Sequence, residues 1–337
     1  MGLTQSQKVL IEKTRSAGGS ELATGLNDEA CAFIVATIAR DLNRLDAFPE
    51  IAADFPEFFK EPDPQNLEVH GLDFYVLIER LFYLVPDADT YFACLGALQK
   101  SRLKYARILE YQPIPTMDQV GPRALLQYGL MNPKALAGFL LWRKWLFDID
   151  NRAGQETGYL FEPIIANAIG GEPFGAKKSP IKRHDDKAKG RQVDCIRKKR
   201  AYEIKLRVTI AASGQGRWKE ELDFPVDCKQ SGFKPVLVVL DPTPNPKLNE
   251  LNAAFKKAGG ETYVGDTAWH HLEEEAGEVM SIFLEKYVKT PMQHVLDSAP
   301  EELPNITLKM SNDKFSILLD DELSEFRRTL GDPADLE

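Results

Sequence analysis

The sequence predicts an α/β fold of the α+β type, with helices flanking a mixed central sheet and a large helical region before it. Residues 190–208 contain two short stretches of alternating apolar and polar residues joined by a basic turn, the pattern of a half-buried hairpin. Residues 236–241, VLVVLD, form a continuous apolar run, which is typical of a strand buried on both faces. Apolar residues before residue 150 follow helical spacing instead. Together these patterns favour one helix-covered sheet and a separate helical region.

The first 150 residues are predicted to be almost wholly helical. Asn27 is a candidate N-cap for a helix that begins at Asp28 and runs through Leu45. Proline in the first turn marks two later helices. The further helices predicted in this region span residues 72–84, 89–112, 122–128 and 133–150.

The second half of the chain alternates strands and helices. Helices are predicted over 156–169, 245–258 and 267–287, with a strand at 261–264. The last segment is acidic, and its weak alternation favours a small hairpin followed by a final helix. We therefore expect three regions, which are a helical region (1–150), a sheet-containing core (151–290) and an acidic C-terminal extension (291–337).

The hairpin collects charged side chains on one face. If residues 198–199 form a two-residue loop, Asp194 lies directly opposite Glu203. Opposed residues share one face of a sheet, with side chains about 5 Å apart. Lys205 lies two residues beyond Glu203 and therefore projects from the same face. One register thus gathers two carboxylates and one ammonium group.

This set of side chains indicates metal-dependent hydrolysis of a phosphate ester. Facing carboxylates repel each other on a bare sheet, and a divalent cation between them removes the repulsion. Mg²⁺ is commonly held by one or two carboxylates and several waters, and it stabilises charge on a phosphate. Lys205 would orient the attacking water or neutralise the phosphorus centre. The alternative is a solvated strand, because acid-x-Lys triplets also occur in charged loops such as residues 185–187.

The charge of the chain is unevenly distributed. The net charge is −9, yet residues 177–219 carry 15 Lys and Arg against four acids, a local charge of +11, so that the remainder carries −20. A basic block within an acidic protein is typical of a phosphate-binding surface, and the acidic remainder disfavours indiscriminate DNA binding. The alternative is a solvated charged loop.

Nothing in the sequence indicates export or a membrane partner. No apolar run is long enough to cross a bilayer, and the first residues lack the layout of a secretion signal. The four cysteines are widely spaced without a C-x-x-C motif, so we expect buried thiols and not disulfides or zinc ligands. We expect a cytoplasmic protein.

The arrangement Asp194…Glu203-x-Lys205 resembles the active site of PD-(D/E)xK nucleases, in which an acid on one strand precedes a Glu-x-Lys on the next. Val193 stands where proline is usual, and the gap between the two acids is short for that superfamily. Three longer strings, GRQVDCI, AYEIKLRVTIAASGQGRWKEEL and PVLVVLDPTPNP, resemble type II restriction endonucleases, most closely the ApaLI-like family. The resemblance covers residues 156–290.

The resemblance implies a restriction-endonuclease-like core and Mg²⁺-dependent cleavage of double-stranded DNA at a short palindrome, expected to be GTGCAC in that family. It also implies a homodimer, because a two-fold dimer matches the symmetry of a palindrome. A cognate DNA methyltransferase is expected to share the recognition site without binding to this chain.

The resemblance further implies residue roles. Asp194 and Glu203, with the Ile204 carbonyl, would hold the metal ion. Lys205 would orient the attacking water, and Glu162 on the preceding helix would complete a second metal site.

Glu156, on the same helix as Glu162, is the second choice for that role. The expected DNA contacts combine the basic block with the glycine-rich stretch after the hairpin. They are Lys182, Arg183, Lys189, Arg191, Arg207, Gln215, Arg217 and Lys219.

Two alternative functions remain open on the sequence. A repair or recombination nuclease would recognise branched, damaged or single-stranded DNA and leave intact duplexes whole. A non-catalytic binding module would use the basic block to dock an acidic partner, and its binding would survive Glu203→Ala.

Overall fold

The centre of the computed structural model is a five-stranded mixed sheet; the structure describes residues 2–19, 22–206 and 215–329, the side chains of 215–217 excepted. The strands are adjacent in chain order: β1 (Glu172–Phe174), β2 (Val193–Arg197), β3 (Arg200–Lys205), β4 (Lys234–Val239) and β5 (Glu261–Val264). β1, β2 and β3 pair antiparallel, whereas β3, β4 and β5 pair parallel. The predicted mixed sheet is confirmed.

Helices form most of the chain before the sheet. They are α1 (Gln5–Arg15), α2 (Asp28–Asp41), α3 (Phe74–Leu84), α4 (Ala88–Tyr111), α5 (Met117–Val120) and α6 (Pro133–Ala168), with short 3₁₀ helices at Leu45–Ala47, Pro64–Asn66 and Gly121–Gln127. The predicted cap of α2 is confirmed, because Oδ1 of Asn27 accepts the N–H of Ala30 at 2.8 Å. α2 ends at Asp41, earlier than the predicted Leu45, and Asn43 beyond it has a positive φ that no helix continues through.

Helix α6 joins two segments that the sequence predicts as separate helices. It is one helix of 36 residues, capped by Asn132 and with Pro133 in its first turn. Pro163 lies inside it without ending it. At a rise of about 1.5 Å per residue the helix is about 54 Å long. It passes without interruption through residue 150, where the first region boundary was expected.

The sheet separates two apolar layers. On one face, Cys195, Tyr202 and Ile204 join the N-terminal helices, the C-terminal part of α6 and helix α9 (Asp266–Leu284) in one continuous core. On the other face, Ala201 and Val239 pack with α7 (Gln215–Gln230) and α8 (Pro246–Lys257). Because side chains alternate along a strand, Glu203 and Lys205 point to the same side of β3 as Ala201. The charged side chains of β3 therefore face α7.

The C-terminal segment forms a second sheet. α9 continues through a π-helical turn (Glu285–Lys289) into α10 (Thr290–Asp297), and three antiparallel strands follow, β6 (Ile306–Met310), β7 (Lys314–Leu319) and β8 (Glu322–Arg327). The expected hairpin is thus present. In the described part of this segment, the hairpin is followed by a third strand, β8, and not by the expected final helix. The ring of Phe315 in β7 packs against Trp145 of α6, with 4.7 Å between the ring centroids. One face of this second sheet is therefore buried against α6. In the part of the chain that the structure describes, no helix is long and apolar enough to cross a membrane.

Candidate active site

The hairpin that carries the predicted site has the predicted register from the turn to Cys195 and Tyr202, and the predicted pair Asp194–Glu203 lies beyond this ladder. Arg197 pairs with Arg200 across a two-residue loop, and the ladder continues to Cys195 and Tyr202. Lys198, the first loop residue, has φ of +55°, the left-handed conformation that tight hairpin turns of this length require. The turn thereby fixes which residues of the two strands lie opposite each other.

Beyond the last ladder pair, the Asp194 carboxylate itself bonds to the neighbouring strand. The backbone N–H of Ile204 donates to Oδ2 of Asp194 at 2.8 Å. This contact fixes the carboxylate at the end of β3, beside Glu203. The metal role expected of the Ile204 carbonyl stays a prediction, since the contact involves its N–H.

Asp194 lies in an electrostatically unfavourable position for a carboxylate. Burial, together with the charges of Glu203 and Glu162, raises its pKa well above the usual range, although the Ile204 hydrogen bond and Lys205 oppose the shift. Accumulated negative charge of this kind is what a bound cation relieves. The structure therefore places three of the predicted acids within electrostatic reach of one another.

Lys205 is held by two glutamates. Its Nζ lies 3.0 Å from Oε1 of Glu203 and 3.5 Å from Oε2 of Glu221. The three side chains are only 17–18% exposed. Burial alone would lower the pKa of Lys205, but Glu203 and Glu221 outweigh it and raise that pKa above its ordinary value. Lys205 is therefore charged at neutral pH and held in one place.

Glu221 is a residue of the candidate site that the sequence did not predict. It lies on α7, in the charged string RWKEEL, where an acid resembles an ordinary solvated residue. The available signal was the helical spacing, because Phe224 and Cys228 follow Glu221 by three and seven residues, and both are buried against the sheet. An acid on the buried side of a helix indicates a specific partner, here Lys205.

The two candidate acids of α6 lie in different surroundings. The charge of Glu162 acts on Asp194, as expected for a residue near the site. Glu156 pairs instead with Lys104 of α4, with 2.7 Å between Nζ and Oε1. The structure thus brings Glu162, and not Glu156, towards the hairpin. Its assignment to a second metal site stays a prediction.

The chemistry of the donors fits a hard divalent cation. Asp194, Glu203 and Glu162 supply oxygen ligands only, and Lys205 is the ammonium group that contacts one of them, Glu203. Within residues 2–19, 22–206 and 215–329, no three His, Cys, Asp or Glu side chains are already arranged around one point as a complete metal site. A cation that takes one or two carboxylates and completes its shell with water does not need such a cage.

The basic connector between β1 and β2 is anchored to α7. Asp227 of α7 is fully buried and accepts three hydrogen bonds, from the backbone N–H of His184 (2.6 Å), from its ring Nδ1 (2.7 Å) and from Nε of Arg191 (2.8 Å). Arg183 pairs with Glu220 on the exposed side of the same helix at 2.8 Å. The connector and α7 therefore form one unit beside the hairpin of the candidate site.

The predicted DNA-contacting residues fall into four groups. Arg191 is buried against Asp227, and Arg183 is paired, so that both shape the connector in the DNA-free chain. Lys189 pairs with Asp186 at the surface, and Lys219 is exposed on α7. The N–H of Lys182 donates to the Ser231 hydroxyl and its Nζ donates to the carbonyl of Ser179. Arg207 and the side chains of Gln215 and Arg217 lie outside the described part of the chain.

A mixed sheet covered by helices on both faces, with an acid on β2 beside a Glu-x-Lys on the central strand β3, defines an α+β fold of the restriction-endonuclease type. A sequence model of the ApaLI-like restriction endonuclease matches residues 65–289. The chain is also 49% identical over 282 residues to the type II restriction enzyme ApaLI of Acetobacter pasteurianus, which covers 78% of this chain and 74% of the relative. The chain belongs to the ApaLI-like restriction endonuclease family. No solved structure gives a significant match.

Membership in this family agrees with the class of enzyme that the hairpin predicts. Type II restriction enzymes are site-specific endonucleases, they bind DNA, and they generally use a divalent metal ion. The matched residues include the hairpin, α7 and the part of α6 that carries Glu162.

Proposed function

We propose that this chain cleaves double-stranded DNA at GTGCAC with Mg²⁺ as its metal ion and acts as a homodimer. The observation that carries the chemistry is the placement of Asp194 beside Glu203 with Lys205 on the same face of the hairpin. The similarity to ApaLI supports the recognition sequence, and the palindrome supports the two-fold dimer.

In this proposal Asp194 and Glu203 would hold the metal ion. The Ile204 carbonyl and Glu162 would be the further ligands. Mg²⁺ bound there would supply positive charge that stabilises the phosphate during hydrolysis. The hydrogen bond from Ile204 N–H keeps the Asp194 carboxylate in place before the metal arrives, so that little reorganisation remains at the time of reaction.

Lys205 serves the reacting phosphate directly. Its ammonium group orients the attacking water and stabilises negative charge on the phosphate oxygens. A cation held by Glu203 would weaken the attraction of that carboxylate for Lys205. Glu221 would remain as the anionic partner of Lys205, and we assign it the role of a positioning residue.

The basic block guides DNA to this site. Lys189 and Lys219 are exposed on the connector and on α7, the two elements that Asp227 joins beside the hairpin. Arg207, Gln215 and Arg217 belong to the stretch between β3 and the first turn of α7, which follows Lys205 in the sequence. Phosphate contacts from such residues set the register of the enzyme on the duplex, whereas base contacts set its specificity.

The test uses two short duplexes that differ only in the central base pairs, one with GTGCAC and one with the same composition in scrambled order. Wild-type protein with Mg²⁺ is expected to cut both strands of the first duplex at one position and to leave the second whole. EDTA, Glu203→Gln and Lys205→Met are each expected to stop cleavage, with a loss of at least about 100-fold.

Several results would contradict parts of the proposal. Cutting of both duplexes, or of branched DNA alone, would favour the structure-specific nuclease. Cleavage that survives Glu203→Gln and Lys205→Met would remove the hairpin as the active site. A duplex methylated within GTGCAC is expected to resist cleavage if a cognate methyltransferase protects the same sequence. Equal cleavage of the methylated and unmethylated duplexes would contradict the expectation of such a methyltransferase.

A further inference from the structure

The segment between α5 and α6 exposes an unusual number of large apolar side chains. Leu125, Leu126, Tyr128 and Leu130 are 81%, 90%, 73% and 78% exposed. Single exposed leucines are common, but a cluster of four within six residues is not, because monomeric proteins rarely leave a large contiguous apolar patch in water. This segment is therefore a candidate for a surface that is covered by another molecule.

The exposed segment is packed against α6. Val120 at the end of α5 forms a small buried cluster with Leu136 and Leu140 of α6, and Ala124 of the 3₁₀ helix Gly121–Gln127 packs against this cluster. The outward side chains of the 3₁₀ helix are thus presented from a packed support. A surface built on packed elements is suited to docking, since little conformational entropy is lost on binding.

The apolar surface continues along α6. Phe147 follows Leu140 by seven residues and therefore lies on the same side of the helix, where the 3₁₀ helix no longer covers it. Phe139 and Leu146, which are also seven residues apart, form a second row beside it. Phe139, Leu146 and Phe147 are all large apolar side chains that are exposed to solvent. We call Leu125, Leu126, Tyr128, Leu130, Phe139, Leu146 and Phe147 the docking face.

The charge around the docking face selects its partner. Residues 112–150, which contain the whole docking face, carry three acids (Asp118, Asp148, Asp150) and four bases (Arg123, Lys134, Arg143, Lys144), and so are nearly neutral, in a chain whose net charge is −9. DNA or an anionic lipid surface would be met by Lys and Arg. A two-fold contact, in contrast, brings like residues of two copies close together, which a neutral apolar patch permits and a charged one opposes.

We propose that the docking face is the contact surface for a second copy of this chain. The inference rests on the proposed function, in which two copies cut the two strands of one palindrome. Helix α6 carries the docking face near its N-terminal end and Glu162 near its other end. From Phe147 to Glu162 is 15 residues, or about 22 Å of rigid helix. Docking through this face therefore fixes the distance between the two active sites as well as the stoichiometry.

The experiment measures association of the full chain by sedimentation equilibrium without DNA. Wild-type protein is expected to be a dimer at micromolar concentration. Leu126→Glu and Leu130→Glu are each expected to raise the dimer dissociation constant by about 100-fold or more, because one substitution places two charges in a symmetric apolar contact. Tyr83→Glu is the matched control, since Tyr83 is 64% exposed on α3, outside the docking face, and the dissociation constant should stay unchanged.

A second variant covers the case in which the charged variants do not fold. All four native cysteines are buried, so that Leu126→Cys introduces an accessible thiol. Its reaction with a maleimide is expected to slow as protein concentration rises and the dimer forms. A labelling rate that does not depend on concentration overturns the proposal, and so does a wild-type chain that stays monomeric.

The experiments can contradict the docking face and the proposed function independently of each other. If Leu126→Glu dissociates a wild-type dimer that cuts no DNA, the function is wrong and the docking face stands. If wild-type protein cuts both strands of GTGCAC while the Leu126→Glu variant remains a dimer, the docking face is wrong and the function stands. If both hold, the monomeric variant is expected to lose double-strand cleavage at concentrations where wild type is dimeric.

Discussion

Lys205 lies between a glutamate of its own strand and a glutamate of a distant helix. Its Nζ is 3.0 Å from Oε1 of Glu203, two residues away, and 3.5 Å from Oε2 of Glu221 on α7. Glu203 is also a proposed metal ligand, whereas Glu221 is proposed to contact Lys205 alone. The position of the ammonium group in the working enzyme therefore depends on the packing of α7 against the sheet.

Glu221→Gln is expected to lower kcat for DNA cleavage by about 10- to 100-fold, because a misplaced catalytic group loses rate without losing substrate binding. KM for the duplex should change little, and Glu221→Asp should recover part of the rate. Glu278→Gln, a change of the same kind at an exposed position of α9, is the control and should leave kcat unaltered. An unchanged kcat for Glu221→Gln would remove the positioning role.

Asp194→Asn is expected to abolish cleavage and yet stabilise the metal-free protein. The pKa of Asp194 is raised by burial and by Glu203 and Glu162, so that its charge is unfavourable in the folded state at neutral pH. The isosteric amide removes that charge, and its carbonyl oxygen can still accept the Ile204 N–H. Thermal unfolding in EDTA at pH 8 should show a Tm raised by about 2 °C or more.

The pH dependence of that difference follows from the direction of the pKa shift. Between the ordinary aspartate pKa of about 4 and the raised folded value, the folded chain keeps a proton that the unfolded chain releases. The stability of metal-free wild type due to this group therefore falls as pH rises through that window. The Tm advantage of Asp194→Asn should be larger at pH 8 than at pH 5, and the opposite order would contradict the shift. Excess Mg²⁺ should stabilise wild type more than the variant.

Asp227→Asn is expected to destabilise the chain by about 3 kcal/mol. Asp227 is fully buried and accepts a hydrogen bond from Nε of Arg191, so that removing its charge leaves the buried guanidinium with only the more distant Glu220 carboxylate, at 3.9 Å. Urea unfolding measures the change. Asp186→Asn is the control, since its ion pair with Lys189 lies at the surface and is screened by water. An equal decrease in the free energy of unfolding for the two variants would show that the buried ion pair of Asp227 stabilises the chain no more than a surface pair.

Lys198→Gly is expected to stabilise the metal-free chain by about 1 kcal/mol. Lys198 has φ of +55°, a conformation that costs other L-residues about this amount relative to glycine. Lys198→Pro should have the opposite effect, because proline holds φ near −65° and cannot form this turn. Urea unfolding of both variants, without DNA, tests the turn geometry. A glycine variant less stable than wild type would contradict it.

Much of the site could be predicted from local sequence. The hairpin register follows from strand alternation and a two-residue turn, which involve neighbours in the chain only, and it placed Asp194, Glu203 and Lys205 together. The Asn27 cap was predictable for the same reason, since a cap bonds to the backbone three residues away. The apolar run at residues 236–241 likewise predicted the buried β4.

Other features depended on contacts between distant segments. A sequence shows Glu156 and Glu162 on one helix, but only the packing of α4 decides that Glu156 pairs with Lys104. In the same way, the basic residue Arg191 is bound by Asp227, which lies 36 residues later. Helix α6 also runs through residue 150, because apolar residues in each half are buried against other elements, Leu136 and Leu140 in the first half and Ile164 and Ile165 in the second.

The sequence by itself therefore determined the register of the hairpin and the mixed sheet, because periodicity and turn chemistry act over a few residues, and its resemblance to the ApaLI-like family indicated the class of enzyme. The tertiary structure alone decided that Glu221 holds Lys205, that Glu162 rather than Glu156 approaches Asp194, and that an apolar face remains open beside α6. The physical reason is that burial and ion pairing are properties of three-dimensional neighbours, which local patterns do not specify.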